Sequence, residues 1–116
     1  MVRTKGKAEE TYQIRLTRQT QRSINQIVGY IAHIMHEPQN AIRVGNEIFL
    51  TIERIGKNPF IFRECEEMQT ENKIYRKAVC LSWLIIYRIN NGEVLILDIL
   101  HGSRNPQRIK RLDKIK

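Results

Sequence analysis

Asn90-Asn91-Gly92-Glu93 lies between two apolar runs, and it constrains this chain more than any other stretch. Asn and Gly tolerate the positive φ that tight hairpin turns demand. The runs on either side, Leu81 to Ile89 and Val94 to Leu100, must then lie antiparallel. A third strand-like run, Ile74 to Cys80, precedes them with room for only a short turn, so the three form a meander. Trp83-Leu84-Ile85-Ile86 is apolar on both faces, which predicts a central position for the middle strand.

The N-terminal half carries a different period. Tyr12, Ile14 and Leu16 alternate with Gln13 and Arg15, the pattern of a half-buried strand. Thr17 is a plausible N-cap, and Ile24, Ile27, Val28, Ile31, Ile34 and Met35 then recur at helical spacing, predicting a helix from about Arg18 to His36. Gly29 falls inside it, at a cost of about 1 kcal/mol relative to Ala, and is expected to allow close helix packing. Glu37-Pro38 breaks the run. A second helix begins near Pro38 and ends near Lys57, with Ala41, Val44, Ile48, Ile52 and Ile55 on its apolar face and Gly56 and Asn58-Pro59 closing it. The short link makes the helices an antiparallel hairpin. Residues 58 to 72 read as a loop with an apolar knot, Phe60-Ile61-Phe62, and an acidic stretch.

The expected fold is therefore α+β, ordered β-α-α-β-β-β: two layers, with the helical hairpin packed on one face of a mainly antiparallel four-stranded sheet and the other face partly open. Residues 1 to 10 are expected to be a flexible lead, 11 to 106 the domain, and 107 to 116 a basic tail. A chain of 116 residues is one domain's worth, and 41% hydrophobic residues suffice for a modest core. No apolar run approaches the roughly 18 residues of a membrane span, and the first ten residues lack the apolar core of a secretion signal, so a cytoplasmic location with no membrane partner is expected. Cys65 and Cys80 form no C-x-x-C pair and are expected to be free thiols. His33 and His36 lie three apart on a helix without a third ligand in view; no metal and no cofactor is expected.

The net charge of +8 is unevenly spread. Residues 64 to 71 hold four acids and no base, whereas His101 to Lys116 hold six bases and one acid. Such a field favours nucleic acid or an acidic protein as partner, or only keeps a small protein soluble.

The chain resembles the RelE/ParE toxin superfamily, in its ParE-like branch. The resemblance covers residues 11 to 106 and rests on the element order together with Tyr12-Gln13-Ile14-Arg15-Leu16-Thr17, Asn58-Pro59-Phe60, Arg76, Ile86-Tyr87-Arg88-Ile89, and Ile96-Leu97-Asp98-Ile99-Leu100-His101-Gly102-Ser103-Arg104-Asn105-Pro106. The last piece is similar to the strand followed by His-Gly-x-Arg that ends the ParE branch. The resemblance implies the toxin of a type II toxin-antitoxin, plasmid-stabilisation system. Its antitoxin would fold a C-terminal segment over helices and sheet, and the contacts expected for it are Ile31, Met35, Ile48, Ile52, Arg76 and Arg88. ParE-like members act on DNA gyrase, for which His101, Gly102, Arg104 and Arg108 are the expected contacts.

RelE-like members instead cut mRNA on the ribosome. Cleavage needs a group to activate the 2′-OH, one to protonate the leaving oxygen, and cations for the phosphate. His101 has acid-base chemistry, and Arg76, Arg88 and Arg104 could hold phosphate. The departures favour an inhibitor over an enzyme: Trp83-Leu84-Ile85-Ile86 lacks the base that many nucleases carry there, and no Tyr follows His101. Each candidate also has a plainer reading. His101 could only cap its strand, Arg104 could pair with Asp98 or Glu93, Arg76 could balance the acidic loop, and Trp83 and Tyr87 suit the core. A degenerate toxin or a basic nucleic-acid-binding module is the remaining alternative.

Overall fold

The computed structural model describes residues 11–102 and 106–114. The expected N-terminal lead and Ser103, Arg104 and Asn105 lie outside them. Strand β1 spans Gln13–Leu16, helix α1 Arg18–Gly29, helix α2 Pro38–Lys57, strands β2 Arg63–Glu64, β3 Tyr75–Cys80, β4 Trp83–Asn90 and β5 Glu93–His101, and helix α3 Pro106–Lys110. The sheet runs β1-β5-β4-β3-β2. β1 lies parallel to β5, with Gln13 beside Glu93 and Leu16 beside Ile96, and every other pair is antiparallel. The α+β architecture is as expected, with one strand added: β2, two residues long, sets Arg63 opposite Lys77 and Glu64 opposite Arg76.

Local chemistry explains the boundaries. Thr17 Oγ1 accepts the Thr20 N–H at 3.0 Å and donates to Leu97 O at 3.0 Å, so one hydroxyl caps α1 and ties it to β5. Gly92 turns the β4–β5 hairpin at φ +68°. The first helix changes character after Gly29: Tyr30–Ile34 is a π-helical turn, closed by Met35 N–H donating to Tyr30 O at 3.0 Å. Gly29 does not serve close helix packing, because a Cβ there would meet nothing within 4 Å. The β3–β4 turn is Leu81-Ser82, placed by the pairing of Cys80 with Trp83, so β4 starts two residues later than the apolar pattern suggests.

Ile24, Ile31, Ala41, Val44, Ile48, Ile52 and Ile55 pack from the helices onto Ala78, Cys80, Ile85, Tyr87, Ile89, Val94, Ile96 and Ile99 of the sheet. Fully burying one such branched side chain stabilises the fold by about 1.5–3 kcal/mol. This placement corrects part of the expected antitoxin surface: Ile31, Ile48 and Ile52 are 4%, 0% and 6% exposed, so a partner cannot reach them on the closed domain. Tyr87 is also core, its hydroxyl donating to Pro59 O at 2.7 Å.

The opposite face is partly open as expected, with Val79 63% exposed at the end of β3, but most of it is covered. Leu95, Leu97 and Leu100 of β5, Ile86 of β4 and Tyr75 of β3 pack against Cys65 and Met68 from the loop after β2 and against Ile109 and Leu112 from α3 and the 3-10 turn Arg111–Lys114. The apolar residues of β5 point both ways, and a strand buried on both faces needs two covers. The second cover comes from a stretch whose many bases hide two apolar residues three apart. Cys65 and Cys80 are both buried free thiols, one on each face. Among the described residues, no helix is long and apolar enough to cross a membrane.

Candidate functional site

His101 ends β5 opposite Trp83, and the two rings meet edge to face at 6.2 Å. Gly102 follows, its N–H donating to Ser82 O at 2.7 Å, and a Cβ on it would sit 3.2 Å from that oxygen. The glycine thus lets the end of β5 close tightly onto the β3–β4 turn. Beside this joint, Trp83 and His101 face Gln26, Ile27, Tyr30, Met35 and Asn40 across a groove of about 490 Å³. Tyr30 and Met35, at the two ends of the π-helical turn, line the groove and are 57% and 47% exposed, and Ile34 between them is 63% exposed. Met35, expected to touch an antitoxin, and His101, expected to touch the target, therefore share one groove.

The other candidate cations are not gathered there. Alternation puts Arg76, opposite Tyr87, on the helix-covered side, and Arg88, opposite Tyr75, on the other side. Arg76 donates from Nε to Lys73 O at 2.9 Å and from Nη1 to Phe60 O at 3.2 Å and Phe62 O at 2.9 Å, with its guanidinium 5.2 Å above the Phe60 ring. It fastens the Phe60-Ile61-Phe62 knot to β3, and in the β2–β3 pair it stands opposite Glu64 of the acidic stretch. His101 pairs with Trp83, four residues along β4 from Tyr87, which at the usual strand rise is roughly 14 Å from Arg76's position. His101, Arg76 and Arg88 thus do not converge on one phosphate, and the proposed ribonuclease set is corrected on geometry. Arg104, its fourth member, lies outside the described residues.

Two charged residues are buried, which the sequence reading did not anticipate. Lys77, 6% exposed, holds Glu67 Oε1 at 3.2 Å, and Cys65 Sγ donates to the same oxygen at 3.5 Å. Burial disfavours the charged Glu67, but its backbone hydrogen bond and the Lys77 ammonium outweigh that and hold the carboxyl below its ordinary value. Burial, with Glu67 beside it, pushes the Cys65 thiol up to about 11, so it is not a nucleophile at neutral pH. At least one acid of the 64 to 71 stretch thus neutralises a buried lysine.

Asp98 is the second. A β-bulge sets both Leu97 and Asp98 opposite Ile86, and the carboxylate is 1% exposed. Oδ1 accepts Ser23 Oγ–H of α1 at 2.5 Å and the Ile99 N–H at 2.7 Å, while Arg108 Nη2 of α3 lies 3.6 Å from Oδ2. Burial raises its pKa above the ordinary aspartate value, outweighing the hydrogen bonds and Arg108. Among the described residues, Arg108 pairs with Asp98, and Arg15 with Glu93 at 3.5 Å. The signal was available: Asp98 is the one polar residue between Val94 and Leu100. Among the described residues, no cluster of three His, Cys, Asp or Glu could hold a metal.

Comparison with known proteins adds an independent line. The family model described as the ParE toxin of the type II toxin-antitoxin system parDE matches residues 14–106. Two solved structures share the fold. One is titled as the chromosomal ParDE TA system from P. aeruginosa, with a TM-score of 0.66 at 12% identity, covering 81% of this chain and 99% of that one. The other is titled as the toxin-antitoxin complex RelBE2 from Mycobacterium tuberculosis, with a TM-score of 0.53 at 17% identity, covering 78% of this chain and 98% of that one. No curated protein matches the chain in sequence.

Proposed function

This chain belongs to the ParE toxin family of type II toxin-antitoxin systems, and we propose that it is a cytoplasmic growth inhibitor that acts on DNA gyrase and is neutralised by a cognate antitoxin. The observation that carries the choice of target is the dispersal of the cations. Arg76 and Arg88 lie on opposite faces of the sheet, and His101 stands at its far end beside Trp83. An RNA-cleaving centre needs its acid, base and phosphate ligands around one reacting phosphate. A groove with an apolar rim and an imidazole is better suited to hold a protein surface. His101, Gly102, Arg104 and Arg108 remain the proposed target contacts.

The same groove supports the antitoxin. Met35 and His101 line it together, so an antitoxin side chain seated there would exclude the target by occupancy. Both structural relatives are titled as toxin-antitoxin systems or complexes, which favours this partner. Inducing the chain alone should slow growth, and co-expressing the antitoxin should restore it. The purified chain should inhibit gyrase supercoiling or trap cleaved DNA, and should leave ribosome-bound mRNA intact. The reverse pattern would replace gyrase inhibition by mRNA cleavage. Replacing His101 with Ala should weaken gyrase inhibition while antitoxin binding falls less.

A further inference from the structure

Exposed apolar and basic side chains are mixed on α2, where Ile42, Phe49 and Leu50 stand with Arg43, Arg54 and Lys57, but α1 and the described C-terminal segment expose no large apolar side chain. The large apolar side chains that reach solvent belong to the π-helical turn, α2, the Phe60-Ile61 loop and the end of β3. The exposed residues of α1 are Arg18, Gln21, Arg22, Asn25 and Gln26. Those of α3 and the turn after it are Pro106, Gln107, Arg108, Lys110, Arg111, Asp113 and Lys114. Asp113 is the one acid in both sets.

The two basic segments meet over Asp98. Ser23 of α1 and Arg108 of α3 reach the same buried carboxylate from opposite sides. At about 100° per residue, Gln19, Arg22, Gln26 and Arg18 occupy the flank of α1 on one side of Ser23, while Thr20, Ile24 and Ile27 turn the other way, towards the core. The Ile109 and Leu112 side chains anchor the C-terminal segment on the sheet, so its bases point outward. The result is a strip of guanidinium, ammonium and amide groups that bends around Asp98 from the helix-covered face to the other.

We propose that this strip, formed by Arg18, Arg22, Lys110, Arg111 and Lys114 and joined through Arg108–Asp98–Ser23, binds the phosphate backbone of duplex DNA. Its chemistry is that of phosphate contact, in which Arg, Lys, Asn and Gln predominate. A protein partner would be expected to find aromatic or aliphatic anchors, and these lie elsewhere on the molecule. No base-reading element is present in the strip, so binding is independent of sequence. The inference does not rest on the choice of gyrase as target: DNA binding without gyrase inhibition, or the converse, tells the two apart.

The test is fluorescence anisotropy of a labelled random-sequence duplex titrated with the purified chain over about 50 to 200 mM salt. With five cations engaged, the logarithm of the binding constant should fall against the logarithm of salt with a slope of about −4.5. Arg18→Gln with Arg22→Gln should reduce that slope to about −2.7, and Lys110→Gln, Arg111→Gln and Lys114→Gln together to about −1.8. Arg54→Gln with Lys57→Gln, on α2, removes the same charge as the first pair and should leave the slope unchanged. The α1 pair does not touch the anchored segment, so its result stands even if the triple variant detaches that segment. Three results would overturn the proposal: no binding at the lowest salt, an equal loss from the α2 control, or competition by polyglutamate as strong as by unlabelled duplex.

Discussion

The two faces of the sheet are covered by different materials. On one, two long helices lay a continuous row of isoleucines and valines over the strands, and the cover is apolar throughout its centre. On the other, a four-residue piece of loop and nine residues of C-terminal segment supply Cys65, Met68, Ile109 and Leu112. That second cover is fastened by polar links, Lys77 to Glu67 and Arg108 to Asp98. A long amphipathic helix is stabilised by burial along its whole length, whereas a five-residue helix has almost no stability of its own. The first face should therefore open only when the domain unfolds, and the second should open locally.

The largest effect should come from the apolar cover. Ile48 is fully buried at the centre of α2, and Ile48→Ala should cost about 2–5 kcal/mol, read as a lowered urea midpoint. Next comes the polar fastening of the second face. Glu67→Gln leaves the Lys77 ammonium buried without its carboxylate, and breaking such a pair from one side costs about 3 kcal/mol. A loss in that variant below a few tenths of a kcal/mol would mean that the ammonium reaches water by a short movement of the loop. Leu112→Ala should be milder on global stability, about 1 kcal/mol, because the segment can lift while the helix-covered core stays intact. Its signature is chemical: each face contains one buried cysteine. Lifting the segment should make Cys65 react with a thiol reagent while Cys80 stays protected, and equal reactivity of both would contradict independent opening.

This asymmetry also explains what could be read in advance. The helix-covered face was legible because its residues follow clean periods: Ala41, Val44, Ile48, Ile52 and Ile55 can only be one stripe of a helix. The meander was legible because Asn91-Gly92 forces a turn. The second cover was not, since its helix is shorter than two turns and its apolar pair, Ile109 and Leu112, sits among bases that suggest a solvated tail. Yet the two-sided apolar content of Val94 to Leu100 required a second cover. Of the site, His101 and Met35 were found singly. That they line one groove depends on a π-helical turn, which no periodicity announces, and the separation of Arg76 from Arg88 becomes decisive only once the faces are assigned.

The smallest effect concerns the buried acids, and it should have opposite signs at the two fastenings. Glu67 has a lowered folded pKa, so its contribution is present above the ordinary glutamate value and is lost as pH falls through the folded value. Asp98 has a raised folded pKa, so its contribution is full below the ordinary aspartate value and is lost as pH rises through the folded value. Asp98→Asn keeps a carbonyl oxygen for the Ser23 hydroxyl and the Ile99 N–H but no longer titrates. Urea midpoints measured across mildly acidic pH should therefore show the wild-type chain losing stability relative to the variant as pH rises through the folded value of Asp98. At still lower pH, where Asp98 is protonated, the difference between the two chains should become constant. A difference that does not change with pH would mean that Asp98 has the same pKa folded and unfolded, its hydrogen bonds and Arg108 cancelling the effect of burial.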